Sequence, residues 1–190
     1  MTKPEWSQTA ETMVSEGYLA DVSDLVVRDS GGFAFWDGKN VVRLDASGLR
    51  ARGVLGTLLA DAFEAGDGVQ VALLSQAPYV RTAAKAGCGV RPMLDDQAQL
   101  IGPTLPVVKA SSTRVKRTLK KRSAVLVANT GCLCAAPNAY DAHAVAMVAE
   151  KGCRATIESS YLGGGKIIRY HEAWLMRMIY LTKYSKKAAG

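Results

Sequence analysis

Two apolar runs, Val125 to Ala128 and Cys132 to Ala135, are separated only by Asn129, Thr130 and Gly131. Neither run alternates with polar residues, so each reads as a buried strand, the two flanking a tight polar break. A helical pattern follows at once from Asn138 to Tyr161, with Asn138 placed as its N-cap and Gly163, Gly164 and Gly165 as its stop. Strands with two apolar faces need cover on both, which predicts a sheet clothed by helices. A polar break held at the end of such a strand is also a place where chemistry or binding can sit.

The remaining pattern agrees with that architecture. Trp6 to Glu16 has helical periodicity and closes at Gly17. Leu25 to Arg28, Gly32 to Trp36 and Val41 to Leu44 read as three strands joined by the turns Asp29-Ser30-Gly31-Gly32 and Asp37-Gly38. Gly53 to Glu64 repeats apolar residues at helical spacing, and Val69 to Leu74 is a near-continuous apolar strand. Val80 to Ala86 reads as a helix ended by Gly87, with a short helix within Met93 to Ile101. Pro103 to Val108 is extended, its two prolines suiting a sheet edge. Ser111 to Lys121 reads as a helix capped by Ser111 or Ser112, and His171 to Tyr184 as a final helix with a basic end.

The chain of 190 residues suits one domain over 1–190. With 48% hydrophobic and 22% charged residues it is of ordinary globular composition and not of the disordered class. No run of about 18 apolar residues is present, which excludes a helical membrane span. The N-terminus lacks the basic-then-apolar order of a signal peptide. Four cysteines, Cys88, Cys132, Cys134 and Cys153, give no disulfide framework, so a cytoplasmic protein with reduced thiols is expected.

The net charge of +7 is localised. No Asp or Glu occurs from Gln97 to Tyr140, whereas Lys109, Arg114, Lys116, Arg117, Lys120, Lys121 and Arg122 all fall there. Such a cluster is first a solvated helix face and second an attractor of phosphate, nucleic acid or an acidic partner. No aromatics are interleaved for base stacking, which argues against nucleic acid as a partner.

Candidate metal and nucleophile sites are weak on residue type alone. Cys132 and Cys134 share one strand face, but zinc needs further nitrogen or sulfur ligands. Only two histidines exist, His143 and His171, and neither has ligand spacing to the cysteines. A zinc cofactor, or any other, is therefore not expected, and the cysteines read as small buried core residues. His143 reads as a packing or surface histidine, and Glu172 suits the positive start of the last helix. The glycine triplet lacks the frame of a phosphate loop and follows a helix instead of opening one.

In order and spacing, VLVANTGCLCAAPNAYDAHAVAMVAEKGCR resembles the C-terminal motif of the class II aldolase/adducin family, where an apolar strand runs into Asn-His-Gly. SDLVVR, GFAFWDG, VVRLDASG and DDQAQLIGPTLPVV resemble further family segments, so the likeness covers nearly the whole chain. The resemblance implies a three-layer αβα fold of α/β (α+β) type with a central, mainly antiparallel sheet. It also implies a homo-oligomer, a ring of four, with the site between subunits, or a hetero-oligomer with a related subunit. Enzymes of this family hold a divalent metal on three histidines and a glutamate, and the metal polarises a substrate carbonyl.

Carried over position by position, the Asn-His-Gly histidine falls on Thr130. The paired histidines at a strand end fall on Leu74 and Gln76, and the glutamate on Leu55. Leucine cannot bind zinc, and one copy of a chain with two histidines cannot supply three. In the family's phosphate site, Asn falls on Asp24 and Thr on Asp37 before Gly38, with the paired serines near Gly53 and Val54; Arg52 remains as a group for an anion. Asp24, Asp37, Gly38, Arg52, Ser75, Asn129 and Gly131 thus line the candidate ligand cleft.

The favoured expectation is an aldolase-like protein without the zinc site, acting as a non-catalytic assembly or regulatory subunit. The late helices, with Trp174, Met176, Met178, Ile179, Tyr180 and Tyr184, are candidates for its interface. The alternative is a metal-independent lyase or isomerase acting on a small sugar phosphate or keto acid, with Asn129 and Thr130 as polar contacts and Tyr180 or Lys183 reaching in from the C-terminal tail. A basic-patch binder is the third.

Overall fold

The computed structural model describes residues 3–183. Helix α1 (Glu5–Ser15) leads through a 3-10 turn (Val22–Asp24) into the antiparallel meander β1 (Leu25–Asp29), β2 (Gly32–Trp36) and β3 (Val41–Leu44). Helices α2 (Ala46–Arg50) and α3 (Gly53–Phe63) follow, then β4 (Val71–Ser75) and α4 (Pro78–Ala86). Next come α5 (Asp95–Leu100), β5 (Val107–Val108), α6 (Ser112–Leu119), β6 (Ala124–Val127) and β7 (Gly131–Ala136). Two helices, α7 (Ala139–Ser160) and α8 (Tyr170–Lys183), complete the described chain.

The strands form one seven-stranded sheet in the order β3-β2-β1-β4-β7-β6-β5. Every pairing is antiparallel except the edge pair β5–β6. At its centre β4 pairs with β7, placing Leu73 opposite Cys134 and Leu74 opposite Leu133. The pleat sends alternate residues to opposite faces. Leu73, Cys134, Cys132 and Leu126 join one core with Met13 of α1, Val80 of α4 and Ala146 of α7. Leu74, Leu133, Val125 and Val127 join a second core with Leu59 of α3 and Val115 of α6. The unalternating apolar runs thus belong to strands buried on both faces, giving the expected αβα layering.

Most elements lie where the sequence pattern puts them, within a residue or two. Helix α2 does not, because its five residues carry no apolar periodicity. It forms through a local cap, in which the Asp45 carboxylate accepts from the Gly48 N–H at 2.7 Å. The extended Pro103 to Val108 segment contributes only a two-residue edge strand. Ser111 is the N-cap residue of α6, but its hydroxyl makes no capping bond. Asn138 caps α7 as read, accepting from the Asp141 N–H at 2.8 Å. The glycine triplet does end that helix, with Gly163 and Gly164 at positive φ. Tyr184, the last residue of the expected final helix, lies outside the described residues.

Candidate functional site

The centre of the sheet ends in a cleft of about 460 Å³ between α4 and the β6–β7 turn. Gln76 enters it from the end of β4, and Asn129 and Thr130 enter from the turn. Pro78, Arg81, Thr82 and Lys85 line it from α4. Among the described residues no acidic side chain lines it.

Local structure fixes each wall. Asn129 sits at φ 60°, a left-handed conformation that asparagine tolerates better than most residues. Its N–H donates to the Ala84 carbonyl at 3.3 Å, tying the turn to α4. The Thr130 N–H donates to Val127 O at 2.9 Å and closes the turn. Gly131 is required next, since a Cβ there would stand 2.4 Å from the Ser75 carbonyl oxygen. The Gln76 N–H donates to Tyr18 O at 2.9 Å, holding the end of β4. Helix α4 opens on Pro78, whose fixed φ suits a first helical position.

The candidate residues lie toward one end of the sheet, and only some of them line this cleft. Gln76, Asn129 and Thr130 meet in the cleft. Ser75 is buried beneath it, and its hydroxyl donates to Tyr18 O at 2.9 Å. Leu74 lies within the second core, and Leu55 packs against that core from α3. Asp37 and Gly38 form the β2–β3 turn, where the Asp37 carboxylate accepts from the N–H groups of Lys39 and Asn40 at 2.7 and 2.6 Å. These backbone bonds hold the Asp37 carboxyl below its usual range.

Asp24 and Arg52 form a separate polar cluster with Asp21 and Ser23. Arg52 donates to Ser23 O and Oγ at 3.0 and 2.9 Å and lies over the Phe35 ring, 4.2 Å from its centroid. Burial lowers its pKa against the attraction of Asp24 and Asp21. Burial likewise raises the Asp24 carboxyl, although its Oδ2 accepts from the Asp21 N–H at 3.1 Å. An anion at Arg52 would therefore face two carboxylates.

The other sequence candidates are structural. Cys132, Cys134 and Cys153 are fully buried, and the sulfurs of Cys132 and Cys134 lie 3.8 Å apart. The neighbouring Cys134 thiol and burial push Cys132 up, and burial pushes Cys153 up, so neither offers a ready thiolate. His143 pairs with Glu16 at 2.8 Å and meets Tyr18 edge-on. Within the basic cluster Lys116 pairs with Glu64, and Arg122 donates to Thr104 O and Oγ1. Arg81 and Lys85 had no signal in the sequence beyond that of ordinary surface cations on an amphipathic helix.

The model of the class II aldolase and adducin N-terminal domain matches residues 37–157. The chain belongs to the class II aldolase and adducin family. An L-fuculose 1-phosphate aldolase superposes with TM-score 0.79 at 15% identity, covering 95% of this chain and 98% of its own. The L-fuculose-1-phosphate aldolase of Thermus thermophilus has TM-score 0.68 at 12% identity, with 86% of this chain and 96% of that one covered. An aldolase II superfamily protein from Pseudomonas syringae has TM-score 0.66 at 12% identity, covering 94% and 86%. No curated protein matches the chain in sequence. At these identities the structures speak for the fold alone. They agree with the αβα architecture expected from the sequence.

The residues that the sequence resemblance assigns to metal-ligand places do not have the chemistry of a catalytic zinc site. Leu74 and Leu55 belong with the core, while Gln76 and Thr130 offer only neutral oxygens or an amide. Among the described residues no three of His, Cys, Asp or Glu are grouped to hold a metal.

Proposed function

We propose that residues 1–190 form one class II aldolase-like domain that works without the family's metal chemistry, as a non-catalytic assembly or regulatory subunit. What supports the reading is that the resemblance assigns Leu55, Leu74, Gln76 and Thr130 to the four ligand places. Two are aliphatic and packed with the core, so no rotamer change restores a donor set. With no donor set for a Lewis acid and, among the described residues, no carboxylate or histidine lining the cleft, the site lacks the metal-assisted route to an enediolate that the family's enzymes use.

An assembly role is supported by the C-terminal surface. Trp174 and Leu175 of α8 are 51% and 54% exposed, and Tyr161 and Leu162 before it are 84% and 87% exposed. Apolar exposure of this kind suits burial against a second copy or a related subunit. No helix among the described residues is long and apolar enough to cross a membrane, so this surface is not a helical membrane span.

The test combines three measurements on untagged protein. We expect no stoichiometric zinc by elemental analysis and no cleavage of L-fuculose 1-phosphate. Light scattering is expected to give an oligomer that Trp174→Asp with Leu175→Asp dissociates. Bound zinc at one per chain, or aldol cleavage, overturns the non-catalytic reading, and a monomeric wild type overturns the assembly reading.

A further inference from the structure

We infer that the cleft between α4 and the β6–β7 turn is a binding site for a small oxyanion, a phosphate or carboxylate group, held by Arg81 and Lys85. This goes beyond the non-catalytic reading and does not depend on it.

Three observations carry the inference. First, among the described residues the charge of the cleft has one sign, with a guanidinium and an ammonium on its wall and no carboxylate. Arg81 and Lys85 are four apart, so they share one face of α4. Among the described residues neither side chain has an ion-pair or hydrogen-bond partner. Second, two side-chain amides, Gln76 and Asn129, also line the cleft, and an amide N–H can donate to an oxyanion. Third, the cleft volume of about 460 Å³ lies in the range of small-molecule sites.

The start of α4 is not what holds the ligand. Its free N–H groups at Tyr79 and Val80 are already taken by the Glu150 carboxylate. The anion's charge must therefore be met by side chains. Nor is this the phosphate position that the family resemblance marks. Asp24, Asp37 and the Gly53–Val54 start of α3 do not line the cleft. Gln76 and Thr130, which stand in two metal-ligand places, do line it. Two side-chain cations thus stand beside the position where relatives would place a metal cation.

The test is calorimetric titration of the full chain with inorganic phosphate and, separately, with malonate. We expect saturable binding of at least one probe, weakened about tenfold or more by Arg81→Gln and by Lys85→Gln alike. Both positions are exposed, so thermal unfolding of each variant stays at the wild-type temperature. Lys120→Gln with Lys121→Gln, on the separate basic cluster, leaves binding unchanged. Phosphate binding alone assigns the site to phosphate-bearing molecules, and malonate binding alone to carboxylates. Saturation by neither probe up to about 10 mM overturns the inference. Binding that survives in the Arg81→Gln, Lys85→Gln double variant, or that falls equally in the Lys120→Gln, Lys121→Gln variant, overturns it as well.

Discussion

Glu150, midway along α7, accepts a hydrogen bond from the Val80 N–H at 2.8 Å through Oε2. Its other oxygen accepts from the Tyr79 N–H at 2.9 Å. One carboxylate from a distant helix thus caps the first turn of α4, where the helix's own N-cap residue, Ala77, has no side-chain acceptor. The same bonds set the position of Arg81 and Lys85 along the cleft.

Glu150→Ala is expected to lower stability by about 1–2 kcal/mol, because two N–H groups lose their acceptors. Glu150→Gln keeps one acceptor oxygen and recovers part of that loss. Urea unfolding monitored by circular dichroism measures both. Equal stability of wild type and Glu150→Ala would show that water satisfies these groups equally well.

Gly131→Ala is expected to destabilise the fold by about 1–3 kcal/mol. The added Cβ falls 2.4 Å from Ser75 O, a backbone atom of the neighbouring central strand that has no free direction to move. Thermal unfolding checks the size, and a melting temperature equal to wild type contradicts the close approach.

The thiols divide by burial. Cys88 is exposed, whereas Cys132, Cys134 and Cys153 are buried. Mutual contact and burial raise the Cys132 thiol above its ordinary range, and burial raises that of Cys153. Native protein is therefore expected to release one equivalent of chromophore from a disulfide reagent, and denatured protein four. Cys88→Ser is expected to abolish the native signal. A fast second equivalent in the native state argues against the packing around β7.

Asp24 gives a pH dependence with a definite sign. Its folded-state pKa is raised by burial above the ordinary value of 3.8. Between 3.8 and the raised value the folded state binds more protons than the unfolded state, so the Asp24 contribution to stability falls as pH rises. The Asp24→Asn variant lacks this loss. Its stability relative to wild type is expected to improve as pH rises from the ordinary carboxylate value of 3.8 through the raised one, as measured by urea unfolding at each pH. A difference that stays constant or reverses shows that Arg52 dominates over burial.

Much of the architecture was legible because central strands and amphipathic helices write their burial into residue order. Leu73, Leu74 and Leu133 sit in unbroken apolar runs because both faces of the sheet are covered. Asn138 and the glycines after α7 mark their helix ends by local chemistry alone. Helix α2 was not legible, since a side-chain cap at Asp45 forms it without periodicity.

The site was legible in part. Asn129 and Thr130 announce themselves as a polar interruption between apolar strands, and Gln76 as the polar end of a third. Arg81 and Lys85 do not, because a cation on an exposed helix face looks the same whether or not a cleft lies before it. Asp24 and Asp37, neighbours of Asn129 in the sequence-derived cleft, lie at the same end of the sheet but do not line the cleft that Asn129 enters.

By itself the sequence determined the layered fold, the family resemblance and the shortage of histidines. These depend on side-chain type and spacing, which survive without coordinates. Only the tertiary structure decided which polar groups share a cleft and which sign of charge it carries. That depends on the Asn129 N–H docking on Ala84 and on Glu150 capping Val80, contacts between segments far apart in the chain that no local pattern encodes.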